Sequence, residues 1–164
     1  MNIKSVCATV LALAALVPGA AAAQSDTGRW TVDYDAENDL CWMEQTFDAD
    51  GGATSSLGVD LPWDTTPLLV MRNSSWTMEQ AGTSAEIWFT GDWERPADTI
   101  VSATVHQVDG LTHVDVAWSD DLLNRMSSSE EMVIRVANGP FERYTIGATA
   151  GAVSSLFECY DTLF

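Results

Sequence analysis

The sequence predicts a mainly β protein, an antiparallel β-sandwich or barrel of about nine strands with a C-terminal α-helix. Short runs rich in β-branched and aromatic residues recur along the chain, separated by Gly, Asp, Asn and Pro. Helical spacing of apolar residues occurs only near the C-terminus, and a helix start signal occurs once before it. The 164 residues, 46% of them apolar, suffice for one well-buried core.

Residues 1–23 are predicted to form a secretory signal peptide. Lys4 supplies the positive charge, residues 6–17 form an apolar run, and small residues up to Ala23 suit a signal peptidase. The apolar run is shorter than the roughly 18 residues that a membrane anchor needs. We therefore expect residues 24–164 to form a single β-rich domain, periplasmic or secreted, with no membrane insertion after cleavage.

Nine strands are predicted from the alternating runs. In chain order they are Trp30–Tyr34, Cys41–Phe47, Ala53–Val59, Leu68–Arg72, Ala85–Thr90, Ile100–Gln107, Leu111–Trp118, Met132–Ala137 and Phe141–Ile146. Asp109-Gly110 and Asn138-Gly139 are typical of two-residue type I′ hairpin turns. The second turn predicts that Arg135 lies opposite Glu142, an opposite-charge pair across the strands.

Two segments are predicted to be helical. Ser119 is a good N-cap, and the acidic residues after it favour a short helix to about Met126. The second helix covers about 148–161, because Ala152, Val153, Leu156, Phe157 and Tyr160 recur at helical spacing. We expect this helix to pack on the sheet.

Removal of the leader leaves two cysteines, Cys41 and Cys159. Two thiols in an oxidising compartment most simply form one disulfide. The alternative, Cys41 as a nucleophile with a histidine partner, is the less favoured interpretation.

The charge balance excludes several classes of partner. There are 7 basic and 24 acidic residues, and the formal net charge is −17. Such a surface repels phosphate backbones and anionic lipid headgroups, which argues against nucleic-acid and membrane-surface binding.

Segments at both ends of the chain resemble one known family. Trp30-Thr31-Val32-Asp33-Tyr34 followed by Cys41-Trp42-Met43-Glu44-Gln45 is similar to the opening of the invasion-associated locus B proteins, and Tyr144-Thr145-Ile146-Gly147 followed by Ala150 to Leu156 is similar to their closing strand and Ala-rich helix. The resemblance covers about 35 residues. It implies a small secreted β-rich envelope or host-contact protein of alphaproteobacteria, without established catalytic residues. Tyr34 stands where the family has its first cysteine and Cys159 follows the closing helix, so the family's disulfide scheme does not carry over.

Two sets of residues are candidate metal ligands. The Asp109-Gly110 turn places His106 opposite His113 with Asp115 on the same face, a set of donors suited to zinc or copper. Asp48 and Asp50 are candidates for calcium, although the charged anchors of an EF-hand loop are missing. A solvated hairpin face and a solvated turn are the simpler interpretations, and we expect no cofactor.

The tryptophans suggest a ligand face. Seven are present, and Trp30 and Trp118 are predicted to be buried. Strand alternation instead directs two rings outward together with two carboxylates, which gives the candidate ligand face Trp42, Glu44, Glu86 and Trp88. An apolar platform rimmed by hydrogen-bond acceptors suits a sugar or a protein contact, unless a helix or loop covers the rings.

The sequence therefore favours a non-catalytic binding or interaction protein of the bacterial envelope, with a protein or glycan of the envelope or of a host as its partner. Common catalytic motifs, such as G-x-S-x-G or H-E-x-x-H, do not occur. One alternative is a small metal- or carboxylate-dependent hydrolase. The other is an envelope structural protein whose acidity reflects its habitat.

Overall fold

A computed structural model describes residues 22–23, 25–26, 30–48, 53–63, 66–79, 81–90, 92–147 and 149–163. Most of the predicted leader, residues 1–21, lies outside these ranges, so the predicted cleavage stays a prediction. Within them, neither helix combines the length and the apolar character that crossing a bilayer requires.

The chain forms the strands that its alternating pattern predicts. Two short segments come first, β1 (Ala22–Ala23) and β2 (Ser25–Asp26). The nine longer strands are β3 (Thr31–Asp35), β4 (Leu40–Asp48), β5 (Thr54–Pro62), β6 (Leu68–Asn73), β7 (Ala81–Trp88), β8 (Thr99–Val108), β9 (Leu111–Ala117), β10 (Glu131–Val136) and β11 (Phe141–Thr145). Each coincides with one predicted run to within a few residues, and the mainly β fold class is confirmed.

The strands form one folded sheet in the order β1-β11-β10-β7-β8-β9-β6-β5-β4-β2, with β3 also paired to β4. All nine longer strands pair antiparallel, whereas β1 lies parallel to β11. Phe47 of β4 and Tyr144 of β11 lie near opposite ends of this order, yet their ring centroids are 5.2 Å apart in an edge-to-face contact. The sheet therefore folds over a shared core. It is not closed into a barrel, and the architecture is sandwich-like.

The turn at Asp109-Gly110 has the predicted geometry. Val108 pairs with Leu111, and both turn residues have positive φ, 52° at Asp109 and 81° at Gly110. A type I′ turn requires this left-handed backbone, which Asp and Gly adopt more readily than most residues. The predicted opposition of His106 and His113 follows from this turn and is found.

The predicted pairing of Arg135 with Glu142 is wrong by one residue. Arg135 lies opposite Phe141, and Glu142 lies opposite Ile134. The connection is longer than two residues and turns at Ala137, whose φ is 52°. The observed register places Tyr144 on the core face with Ile134, and both are fully buried. The predicted register would have put these two large side chains on opposite faces of the sheet.

Two helices cover part of the core. α1 (Asp120–Ser127) begins after Ser119, whose hydroxyl accepts a hydrogen bond from the Leu122 N–H at 3.3 Å, as predicted for an N-cap. α2 (Thr149–Leu163) packs against β3 and β4. Its core-facing side chains are Ala152, Val153 and Leu156. Phe157, assigned to the same apolar face from its spacing, is instead exposed.

The disulfide between Cys41 and Cys159 is present, with the two Cα atoms 6.1 Å apart. Cys41 is fully buried near the start of β4, whereas Cys159 lies in the last turns of α2. The bond therefore fastens α2 to the sheet, which confirms the predicted pairing.

Candidate functional site

The candidate site lies on the outer face of the sheet, around β4, β5 and β6. Cys41 and Met43 of β4 point into the core and are fully buried, whereas Trp42 and Glu44 alternate to the outside and are partly exposed. This is the orientation that the sequence predicts for β4.

Trp42 lies between two carboxylates across the strands. Its direct neighbour on β3 is Asp33, and its direct neighbour on β5 is Asp60. Glu44 follows two residues further along β4 on the same face. The ring is half-buried, so one aromatic side chain stands among three carboxylates.

Arg72 of β6 holds two of these carboxylates. Its Nη1 atom is 2.7 Å from Glu44 Oε1, and its Nη2 atom is 3.9 Å from Asp60 Oδ2. The three side chains are each about one quarter exposed or less, at 27%, 27% and 22%. A guanidinium in such a position fixes the carboxylates on a face that would otherwise carry only negative charge.

Asp60 remains under-compensated in this arrangement. Burial, helped by the neighbouring charges of Asp115 and Glu44, raises the pKa of its carboxyl group to about 6 against the opposing effect of Arg72. Burial makes ionisation of Asp60 less favourable. A ligand that donates hydrogen bonds or positive charge to this carboxylate would therefore stabilise its charged form.

Gly58 of β5 marks a close approach of two strands beside the site. A Cβ atom there would lie 2.8 Å from the Met43 carbonyl oxygen, closer than packing allows. Gly58 lies opposite Glu44 on one side and Val70 on the other. The absence of a side chain therefore lets the backbones of β4 and β5 approach closely beside Glu44.

The histidine pair lies on the same face, further along the sheet. The His106 and His113 ring centroids are 5.5 Å apart, and His106 Nε2 lies 3.6 Å from Asp115 Oδ2. Burial, Arg72 and His106 together lower the pKa of His113. In the described part of the chain, no three His, Cys, Asp or Glu side chains are arranged to hold a metal ion. Zinc or copper binding by His106, His113 and Asp115 stays a prediction.

The predicted exposure of Trp88 is wrong. Trp88 is only 3% exposed, because the segment after β7 folds over it. The Trp88 indole N–H donates to the Arg95 carbonyl at 2.9 Å, and its ring packs against Phe141 at 5.5 Å. Glu86 is paired with Arg135 of the adjacent strand β10, whose Nε donates to Glu86 Oε2 at 2.7 Å. Trp42 and Glu44 are the members that keep a partly exposed position on β4.

The calcium candidates do not form a described site. Asp48 is exposed at the end of β4, and Asp50 lies outside the described residues. Calcium binding there stays a prediction.

Three participants were absent from the predicted face, Asp33, Asp60 and Arg72. Asp33 and Arg72 lie on predicted strands, so the period-2 pattern assigns their faces. The missing information was the strand order, which places β3 and β5 on either side of β4 and β6 beside β5. Asp60 lies one residue beyond the predicted strand Ala53–Val59 and belongs to β5 in the structure. Trp118 is buried as predicted, and Trp30 is half-buried.

The fold is similar to that of a protein of known structure. The crystal structure of invasion associated protein B from Bartonella henselae superposes with a TM-score of 0.59, at 9% sequence identity, over 84% of this chain and 98% of that protein. At this identity the likeness shows the fold alone. No family model matches the chain, and no curated protein matches its sequence.

Proposed function

We propose that this chain is a non-catalytic binding protein of the bacterial envelope or exterior, and that its ligand is a glycan. The ligand surface is the outer binding face, defined as Asp33, Trp42, Glu44, Asp60 and Arg72. The observation that carries the proposal is the position of Trp42 between Asp33 and Asp60 in the strand register.

The chemistry of this face suits a sugar ring. An indole ring offers an apolar platform for the C–H face of a hexose, and carboxylates beside it accept hydrogen bonds from the hydroxyl groups. Arg72 holds Glu44 in one orientation through the 2.7 Å contact, so part of the rim is preorganised before binding.

The proposed location outside the cytoplasm draws on two features. The N-terminal segment has the pattern of a secretory signal, and the disulfide between Cys41 and Cys159 is the kind of bond that persists in an oxidising compartment. No specific observation favours the hydrolase or the structural alternative.

Isothermal titration calorimetry with soluble fragments of bacterial envelope and host glycans tests the proposal. The informative variant is Trp42→Ala, and the matched control is Trp63→Ala, which removes an indole that is 50% exposed at the end of β5. We expect at least a tenfold loss of affinity in Trp42→Ala and less than a twofold change in Trp63→Ala. Equal losses in both variants, or no binding by the wild type, would contradict the proposal.

A further inference from the structure

The strand β3 has an open edge. It pairs with β4 and with no other strand among the described residues. The Tyr34 N–H donates to the Asp33 carboxylate at 2.8 Å, so it points away from β4. Backbone groups of alternate residues in an antiparallel strand point to the same side, so the N–H and C=O of Val32 face this edge as well.

A groove of about 680 Å³ lies between this strand and α2. Trp30, Val32 and Tyr34 line the strand side and are each half-buried. Leu163, which is 45% exposed, and Glu158 line the helix side. The residues whose backbone groups face the open edge are thus the residues whose side chains line the groove. A strand added to β3 would direct every second side chain into this β3–α2 groove.

The charges of the residues around the groove indicate what kind of partner binds there. Glu158 lines its helix side, Asp33 borders it from the outer face of the sheet, and no described lining residue is cationic. A second copy of this chain would bring its own Thr31–Asp35 strand to the edge, with two more carboxylates and the same net charge of −17. Like charges placed opposite each other on paired strands are destabilising, which disfavours self-association and favours a cationic partner.

We propose that the β3–α2 groove binds an extended, cationic segment of a partner protein by antiparallel strand addition to β3. The apolar side chains of the segment enter the groove beside Val32, and its Lys or Arg side chains alternate to the other face beside Asp33. Main-chain hydrogen bonds supply affinity, with a peptide carbonyl replacing the Asp33 carboxylate as the acceptor of the Tyr34 N–H, and the alternation supplies specificity. Asp33 borders both proposed sites, whereas the glycan contact at Trp42 lies one strand further into the sheet.

Peptide probes test the strand addition directly. The probe is a fluorescein-labelled octapeptide of alternating Arg and Val, measured by anisotropy against the mature chain at low salt. Two isomers carry N-methyl groups on either the Val amides or the Arg amides. In antiparallel addition the groove-facing Val residues donate to β3, so we expect at least a tenfold loss for Val methylation and less than a threefold change for Arg methylation. Equal behaviour of the two isomers would overturn the proposal, because charge attraction alone does not distinguish them.

Protein variants locate the site and separate it from the glycan face. Val32→Lys adds a cation inside the groove, and Ile100→Lys makes the same change on β8 at a side chain that is 64% exposed. We expect Val32→Lys to weaken peptide binding at least tenfold and Ile100→Lys less than twofold, with circular dichroism checking that both fold. Trp42→Ala should leave peptide affinity within twofold. Peptide binding that depends on Trp42 and not on Val32 would overturn the groove assignment, whatever the outcome for glycans.

Discussion

His106 and His113 face each other across the β8–β9 hairpin, and the two rings have different charged neighbours. His106 lies 3.6 Å from the Asp115 carboxylate, whereas His113 lies directly opposite Arg72 on β6. Burial and the neighbouring guanidinium lower the pKa of His113, so its ring is protonated less readily than a free histidine.

We expect Arg72→Gln to raise the pKa of His113, because the variant removes a positive charge from beside the ring. A pH titration followed by NMR of the imidazole resonances measures this value. Arg95→Gln, which removes an arginine from the segment after β7, is the control and should leave His113 unchanged. The folded state binds this proton less readily than the unfolded chain, so His113 contributes a loss of stability as the pH falls below about 6.5. An unchanged His113 titration in Arg72→Gln would show that Arg72 does not influence the ring.

The predicted zinc or copper site has a direct test in the same pair. Equilibrium dialysis at neutral pH should give one bound equivalent per chain if His106 and His113 are ligands, and none in the double variant His106→Ala with His113→Ala. Metal that remains bound to the double variant would show that it is held elsewhere.

Asp60→Asn is expected to stabilise the protein at neutral pH. The raised pKa of about 6 means that the folded state binds the Asp60 proton more tightly than the unfolded chain, so ionisation at pH 7.5 works against folding. We expect a gain of about 1 to 2 kcal/mol at pH 7.5, because partial exposure reduces the full equivalent of the shift. The gain should shrink as the pH falls through 6 towards 4.

Urea unfolding of the wild type and of Asp60→Asn at pH 7.5 and pH 4.5 measures this difference. Glu79→Gln, which removes an exposed carboxylate from the segment before β7, is the control. A gain that is the same at both pH values would disprove the assignment of the effect to Asp60 ionisation.

Asp98→Ala is expected to loosen the segment that covers Trp88. The Asp98 carboxylate accepts from the Phe89 N–H at 2.8 Å and from Arg95 at 2.7 and 3.0 Å. Burial alone would raise the pKa of Asp98, but these hydrogen bonds and the nearby Arg125 lower it. Truncation leaves partly buried donors without their acceptor, at a cost of about 1 to 3 kcal/mol.

Urea unfolding measures the loss of stability in Asp98→Ala, and acrylamide quenching of tryptophan fluorescence reports whether Trp88 becomes exposed. Asp92→Ala changes an exposed aspartate in the same segment and should have a much smaller effect on both measurements. Quenching that rises equally in the two variants would show that Asp98 is not what holds the segment in place.

Replacing Cys41 and Cys159 together by serine is expected to lower the free energy of unfolding by about 2 to 5 kcal/mol, because the unfolded chain regains the freedom of a long loop. Urea unfolding under non-reducing conditions measures the difference between wild type and variant. Wild-type protein unfolded with a reductant should match the variant. Free-thiol titration that finds two thiols in unreduced wild type would contradict the bond.

The alternation of side chains along each strand was readable because one face of the sheet packs on the core. Cys41 and Met43 are buried while Trp42 and Glu44 are not, as period 2 requires. Whether a loop covers an outward-facing side chain could not be predicted from this pattern. Trp88 does alternate to the outside, but a segment without a regular pattern folds over it, and the Arg95 carbonyl of that segment accepts a hydrogen bond from the Trp88 indole N–H.

Strand register and strand order were also beyond local patterns. The pair Asn138-Gly139 predicted a two-residue turn, yet burial of Tyr144 with Ile134 requires a longer connection. The outer binding face depends on β3 and β5 flanking β4, so Asp33 and Asp60 became neighbours of Trp42 only once the order was known. These relationships are set by packing over the whole core, which no short stretch of sequence specifies.

The disulfide closes a covalent ring, because its two cysteines are 118 residues apart and the chain between them contains β5 to β11 and α1. A protease that cuts once in any surface loop of this ring leaves both fragments joined. The cut protein migrates as one molecule until it is reduced. A protein built in this way tolerates a single backbone break within the ring without losing any part of its sheet. A cut between β3 and Cys41 instead releases the strand that borders the β3–α2 groove from its covalent tether.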